Sequence, residues 1–126
     1  MERQLVSVLI IDDELFLRRT IQDCLLDEGR FDVQVAGDAE EALELLARRM
    51  VNVCLVDIRL PGQNGIEFML KAQQIDPKLR FIIHTGSPEE QLPESVIRDV
   101  SGFRGLLFKP VFDMGDIVRA IDAAVL

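Results

Sequence analysis

The chain has 126 residues, 48% apolar and 29% charged, and these values predict one globular domain spanning residues 1–126, with any output domain outside it. Asp and Glu outnumber Lys and Arg by 22 to 14, and the resulting charge of −8 argues against nucleic-acid binding, which needs clustered cations. The apolar opening stretch is too short to span a membrane and lacks a cleavage-site pattern, which predicts a cytoplasmic protein without membrane contact.

Apolar, β-branched runs recur along the chain and predict five strands. Longer stretches lie between these runs, and their apolar residues follow i, i+3 and i+4 steps, which is the helical period. The predicted strands cover 6–11, 31–36, 51–56, 81–83 and 105–108.

Four of the helices have a clear apolar stripe. Gly29 is a predicted helix stop and Asp38 a predicted helix start. The remaining helix, between Ser87 and Ser101, is predicted only from about Pro93 onward, because proline fits the first turn of a helix but not its interior. The four stripes are Leu17, Ile21, Cys24 and Leu25; Leu43, Leu46, Ala47 and Met50; Ile66, Met69 and Leu70; and Ile117, Ala120, Ile121 and Ala124.

The alternation of strands and helices predicts an α/β domain with a doubly wound (βα)5 architecture. Nearly continuous apolar strands are typical of a parallel sheet that helices cover on both faces. In such a sheet ligands bind beyond the carboxyl ends of the strands. The residues at those ends are therefore the first candidates for a functional site.

Polar groups follow four of the five predicted strands. If strands one and three are neighbours, Asp12, Asp13 and Asp57 converge, and each like-charged pair costs about 4 kcal/mol at ~4 Å and an effective dielectric near 20. Such a cluster needs a cation, and oxygen ligands without Cys or His favour Mg²⁺ or Mn²⁺. With Thr85 and Lys109 nearby, this set suits stabilisation of a transferring phosphoryl group, for which Asp57 is the nucleophile.

These landmarks resemble the receiver domains of two-component response regulators, the CheY-like superfamily, over essentially the whole chain. Thr85 and Lys109-Pro110 follow in the expected order and at near-expected intervals. The two acidic segments read Leu9-Ile10-Ile11-Asp12-Asp13-Glu14 and Leu55-Val56-Asp57-Ile58-Arg59-Leu60-Pro61-Gly62-Gln63-Asn64-Gly65.

The resemblance implies a flavodoxin-like strand order, 2-1-3-4-5, and a metal site at the phosphoacceptor. The metal ligands are expected to be Asp13, Asp57 and the backbone carbonyl of Arg59, with Asp12 acting mostly through water. Thr85 and Lys109 would each contact one phosphoryl oxygen. A cis peptide bond is expected between Lys109 and Pro110.

The resemblance also implies partners. Asp57 would take its phosphoryl group from a phosphohistidine on a sensor histidine kinase or a histidine phosphotransfer protein. The signal would pass to a downstream output domain or target protein, and phosphorylation could drive homodimer formation. The expected role is a signalling phosphoacceptor that assists its own phosphorylation and dephosphorylation, rather than an enzyme.

Two sets of positions depart from the family pattern or tune it. Leu106 lies where relatives usually carry Tyr or Phe, so we expect signalling to run mainly through the backbone between Thr85 and Ser101. Arg59 and Ser87 occupy positions that tune the phosphoryl lifetime in relatives. His84, the only histidine, is turned away from its neighbour Thr85 by strand alternation, which favours a structural role.

Two alternatives stay open at this stage. Leu106 leaves room for an adaptor with a receiver fold whose partner binding is independent of phosphorylation. A magnesium-dependent phosphatase of the haloacid-dehalogenase type also forms an aspartyl phosphate. Its motif requires a second Asp two residues after the nucleophile, however, where this chain has Arg59.

Overall fold

The computed structural model describes residues 5–60, 64–86, 94–111 and 113–126, and across them strands and helices alternate. The strands are β1 (Val6–Ile11), β2 (Phe31–Ala36), β3 (Val53–Val56), β4 (Arg80–Thr85) and β5 (Phe103–Phe108). The helices are α1 (Leu15–Asp27), α2 (Ala39–Arg48), α3 (Gly65–Ile75), α4 (Glu94–Asp99) and α5 (Gly115–Ala124).

All strand pairs are parallel, and the sheet order is β2-β1-β3-β4-β5. The predicted α/β class and strand order are therefore confirmed. Strand β3 lies at the centre, and all four of its residues are buried. In the register, Ile11 pairs with Val56 and Val56 with Ile83, so these three strands run side by side to the same edge.

Apolar side chains cover the sheet in two separate layers, because successive residues of a strand face opposite sides. One layer joins Leu9, Cys54 and Phe81 to helices α2, α3 and α4. The other joins Ile10 and Leu55 to α1 and α5. With both faces packed, the carboxyl-terminal rim is where the strands meet polar side chains.

Local capping agrees with the sequence at both predicted positions. The Asp38 side chain accepts a hydrogen bond from the Glu41 N–H and starts α2. Gly29 follows the end of α1 with a φ of 74°, a conformation that glycine adopts without steric cost.

Four predicted details were wrong. Strand β3 begins at Val53, two residues later than expected, although Val51 is buried. Strands β4 and β5 are longer than their apolar runs, because pairing from Phe81–Phe103 to Thr85–Phe108 recruits polar residues and the bulged Arg104. Met50 is 82% exposed and lies beyond the end of α2, so it is not part of that helix's apolar stripe.

Within the described ranges, no helix has both the length and the apolar character needed to cross a membrane.

Replacing Phe68 by Ala should destabilise the fold by about 3–5 kcal/mol, because it removes a buried aromatic side chain and leaves a cavity. Phe68 is 0% exposed and contacts Phe81 edge to face, with ring centroids 6.5 Å apart. The matched control is Phe16→Ala, since Phe16 is 86% exposed. Urea unfolding followed by circular dichroism measures both variants, and equal losses of stability would contradict this account of the core.

Candidate functional site

Backbone hydrogen bonds continue past the strand ends and fix the candidate residues at the rim. The Asp12 N–H donates to the Ala36 carbonyl and the Asp57 N–H to the Ile11 carbonyl, each at 3.1 Å. The Lys109 N–H donates to the Thr85 carbonyl at 2.8 Å. Asp12, Asp57 and Lys109 thus each lie directly after a strand, and a backbone hydrogen bond to a neighbouring strand still fixes their position.

The Lys109 ammonium group lies at the centre of the rim and contacts three carboxylates. Its Nζ is 2.8 Å from Asp12 Oδ2, 2.8 Å from Glu14 Oε2 and 3.0 Å from Asp57 Oδ2. Asp12 and Asp57 are only 2% and 7% exposed, whereas Glu14 is exposed. Lys109 donates hydrogen bonds to Glu14 and Asp57 and forms an ion pair with Asp12.

Backbone donors hold the other oxygens of the two buried acids. The Glu14 N–H donates to Asp12 Oδ1 at 2.9 Å, and the Arg59 N–H donates to Asp57 Oδ1 at 3.0 Å. The orientation of both carboxylates is therefore fixed from two sides. The peptide bond between Lys109 and Pro110 is cis, the form that the resemblance implied.

Burial and the local charges shift two pKa values at the rim. Burial raises the pKa of Asp57 above its usual value, although the Lys109 ammonium and the Arg59 N–H act in the opposite direction. Burial alone would lower the pKa of Lys109, but its hydrogen bonds to Asp12, Glu14 and Asp57 outweigh burial and raise it. Lys109 therefore stays positively charged at neutral pH.

Asp12, Asp13 and Asp57 form a cluster that could hold a metal ion. Each can offer one carboxylate oxygen such that all three oxygens lie within 4.8 Å of one another. Each carboxylate oxygen keeps lone pairs beyond those used in the hydrogen bonds above. A set of three hard oxygen ligands fits a cation such as Mg²⁺.

An open cavity of about 400 Å³ gives access to the acids and to Lys109. Three carboxylates line it, together with the Lys109 ammonium and the exposed Arg59. The carboxylates favour the binding of a cation. The residues that line it are Asp13, Glu14, Asp57, Arg59, Gly86 and Lys109.

The segment after Asp57 packs tightly against the start of α3. The Gly65 N–H donates to the Ile58 carbonyl at 2.7 Å, and a Cβ at Gly65 would lie 2.5 Å from the Asp57 carbonyl oxygen. Only glycine allows this close approach. The Asn64 side chain caps the same helix by accepting from the Glu67 N–H. The backbone of Asp57 is thus fixed by α3 as well as by β1.

The structure brings some predicted residues together and separates others. Asp12, Asp13, Asp57 and Lys109 meet at the rim, and Thr85 ends β4 beside them with 1% exposure. Leu106 lies on the edge strand β5, is 36% exposed, and does not line the cavity. Ser87 lies outside the described residues.

Sequence reasoning missed the contacts of two residues. The Glu14 side chain binds Lys109, and its position next to the acidic pair was the only signal in the sequence. Arg18 donates from Nη1 to the backbone carbonyl of Asp12 at 3.1 Å and so braces the acidic loop. An arginine on an amphipathic helix gives no sequence signal for such a contact.

His84 is on the opposite side of β4 from Thr85, as strand alternation predicts. It is 2% exposed and lines a second cavity with residues that include Leu17, Val111 and Met114. Its Nε2 atom has no hydrogen-bond partner among the described residues. Burial, with help from the positive charge of Lys109, lowers the pKa of His84 to about 4, so His84 is neutral at pH 7.

A five-stranded parallel sheet of order 2-1-3-4-5, with three aspartates and a lysine at its carboxyl rim, defines a flavodoxin-like α/β domain. Residues 8–122 match the family described as the response regulator receiver domain, and the chain belongs to that family. A receiver domain from Methanospirillum hungatei has a TM-score of 0.86 at 30% identity, covering 97% of this chain and 94% of that one.

Curated relatives agree with this family. The transcriptional regulatory protein PdtaR of Mycobacterium tuberculosis is 32% identical over 120 residues, which cover 94% of this chain and 56% of that protein. The chemotaxis protein CheY of Thermotoga maritima is 28% identical over 118 residues, 91% of this chain and 93% of that protein. Other curated relatives are much longer, and the chain spans 17% of the length of one of them and 31% of the length of another.

The burial of His84 makes stability depend on pH. His84 accepts a proton only near pH 4 in the folded protein, but near pH 6.5 when unfolded, so the unfolded state binds more protons between these values. The free energy of unfolding should therefore fall, by up to about 3 kcal/mol, as the pH decreases from about 6.5 to 4. Above this window the His84 contribution is constant.

The variant His84→Leu should lack this part of the pH dependence. Asp57 contributes with the opposite sign, because its pKa is raised in the folded protein, but it does so in both proteins and cancels in their difference. Urea unfolding at several pH values measures that difference. Parallel curves for the wild type and His84→Leu would contradict the assignment.

Proposed function

We propose that this receiver domain accepts a phosphoryl group on Asp57 and changes its partner-binding surface in response. The observation that carries the proposal is the meeting of Asp12, Asp13 and Lys109 around the Asp57 carboxylate. The proposed donor is a phosphohistidine on a sensor histidine kinase or a histidine phosphotransfer protein.

The Asp57 carboxylate is suited to act as the nucleophile. One of its oxygens would attack phosphorus as the bond from phosphorus to the histidine nitrogen breaks, and the electron pair of that bond would leave with the imidazole. The product is an acyl phosphate. The hydrogen bond from the Arg59 N–H to Oδ1 keeps the carboxylate oriented, so little freedom is lost before attack.

Lys109 would stabilise the charge on the transferring group. Its ammonium lies 3.0 Å from Asp57 Oδ2, is charged at neutral pH, and lines the cavity through which a donor would approach. Thr85 is the last residue of the neighbouring strand β4, and its hydroxyl would donate a hydrogen bond to a phosphoryl oxygen. Fixed donors at a buried position act strongly on charge that develops during transfer.

Asp12, Asp13 and Asp57 would hold a divalent cation, Mg²⁺ or Mn²⁺, with the backbone carbonyl of Arg59 as a further ligand and Asp12 partly bridged by water. The bound cation would neutralise charge on the phosphoryl oxygens. The oxygen-only donor set and the cluster geometry support this assignment.

Regulation would act on protein partners. We place the domain, residues 1–126, as an input module that controls an output domain or a target protein, and homodimer formation on phosphorylation belongs to the same proposal. Because Leu106 is on the edge strand and outside the cavity, the response is proposed to pass mainly through the backbone between Thr85 and Ser101. Residues 87–93 of that segment, including Ser87, lie outside the described ranges.

Incubation with acetyl phosphate and Mg²⁺ should add one phosphoryl group to the protein, and mass spectrometry measures this addition. The variant Asp57→Asn should show none, because the amide is not a nucleophile for phosphorus. The matched control Asp23→Asn, at an exposed position on α1, should be modified like the wild type.

Two further arms complete this experiment. Chelation of the divalent cation should abolish the modification, and Asp13→Asn should raise the Mg²⁺ concentration needed for half-maximal modification. An unmodified wild-type protein, or an equally modified Asp57→Asn variant, would refute the proposal. Continuous release of inorganic phosphate from small phosphate esters would favour the phosphatase alternative instead.

Beryllofluoride, which mimics the phosphoryl group, should shift the amide NMR signals between Thr85 and Ser101. The variant Leu106→Ala should keep this pattern, because an exposed side chain outside the cavity does not carry the response. Unchanged shifts in that segment would contradict the backbone route and would favour the adaptor that binds its partner irrespective of phosphorylation. Loss of the pattern in Leu106→Ala would show that the side chain carries it.

A further inference from the structure

The Lys109 ammonium group is surrounded by carboxylates before any phosphoryl group arrives. Its Nζ lies 2.8, 2.8 and 3.0 Å from carboxylate oxygens of Asp12, Glu14 and Asp57, and it donates hydrogen bonds to the last two. The phosphoryl group of an incoming donor brings oxygens that need the same ammonium group while Asp57 is still a charged carboxylate. One carboxylate must therefore move away from Lys109 before the ammonium group can contact the phosphoryl oxygens.

The three carboxylates differ in what release would cost. The side chain of Asp12 is 3% exposed and that of Asp57 is 9% exposed, so water cannot hydrate either carboxylate if it loses its contact with Lys109. The Glu14 side chain is 59% exposed, so water can hydrate its carboxylate when the contact breaks. Release of Glu14 is therefore the least costly of the three.

Glu14 also adds a negative charge to the cavity through which a phosphoryl donor enters. It lines this cavity together with Asp13 and Asp57. Phosphoryl donors are anions, so the Glu14 carboxylate repels them while it occupies the ammonium group that would attract them. Both effects act in the same direction and slow phosphorylation.

We infer that Glu14 acts as a displaceable latch on Lys109 that slows phosphorylation of Asp57 and is released when the phosphoryl group binds; this inference rests on the proposed function. Glu14 is thus a positioning residue for the reaction, because it acts through Lys109. Its backbone N–H has a separate role, since it donates to Asp12 Oδ1 whatever side chain is present. Side-chain variants therefore leave that hydrogen bond in place.

The test compares the rate of phosphorylation by acetyl phosphate at saturating Mg²⁺ in three variants. Glu14→Gln should react about three- to fivefold faster than the wild type, the range that a contact with one exposed partner allows. Glu14→Asp keeps the charge but is one methylene too short for the contact, and it should also react faster. Glu44→Gln loses the same charge from the exposed face of α2 and should react like the wild type.

The lifetime of the phosphorylated form separates a latch from a general change in the site. If the bound phosphoryl group has displaced Glu14 from Lys109, as inferred, Glu14→Gln should leave this lifetime within about twofold of the wild type. A Glu14→Gln rate equal to that of the wild type would overturn the inference. A Glu14→Asp rate equal to that of the wild type would also overturn it, because the charge of Glu14 and not its contact with Lys109 would then set the rate. If the wild type accepts no phosphoryl group, the proposed function itself fails.

Discussion

The ammonium group of Lys109 is the interaction on which the candidate site depends. Without it, the Asp12 and Asp57 carboxylates would face each other at a buried rim, and like charges at ~4 Å repel by about 4 kcal/mol at an effective dielectric near 20. Lys109 binds both, and it also binds Glu14 at the mouth of the cavity. Its positive charge allows a cluster of acids to exist at the edge of an otherwise apolar sheet.

The parallel sheet places these groups without needing long flexible loops. Neighbouring strands β1 and β3 end in register, so Asp12 and Asp57 leave the sheet side by side, while Lys109 directly follows the parallel strand β5 at the same edge. Helices cover both faces with apolar side chains, which confines polar chemistry to the rim. The fold thus fixes the acids and the lysine, whereas Glu14 and Arg59 beside them are exposed to solvent.

Burial divides the residues of the rim and its surroundings into two groups. The chain belongs to the receiver family, and its buried aspartates and lysine are held by backbone hydrogen bonds and by close packing at Gly65. Glu14, Arg59 and Leu106 are exposed or partly exposed and can change without disturbing that frame. Under the proposed function, the buried set carries the phosphoryl chemistry and Glu14, at the mouth of the cavity, adjusts its rate.

Local patterns were enough to predict most of the fold. The five strands and four of the helices follow from apolar runs and periodicity, the helix α4 follows from the position of Pro93, and Asp38 and Gly29 mark helix ends through their own backbone preferences. Strand boundaries were less accurate, because hydrogen bonding to a neighbour extends β4 and β5 past their apolar runs. Met50 continued the helical stripe in the sequence, but the chain leaves the helix after Arg48.

The sequence by itself determined which residues reach the rim, since Asp12, Asp57 and Lys109 each follow an apolar run that reads as a strand. Only the tertiary structure decided which of them touch. The contact between Lys109 and Glu14 joins residues 95 positions apart, and no local preference encodes it. It arises because strand order and register set the distance between two loops, and that distance depends on the packing of the whole sheet.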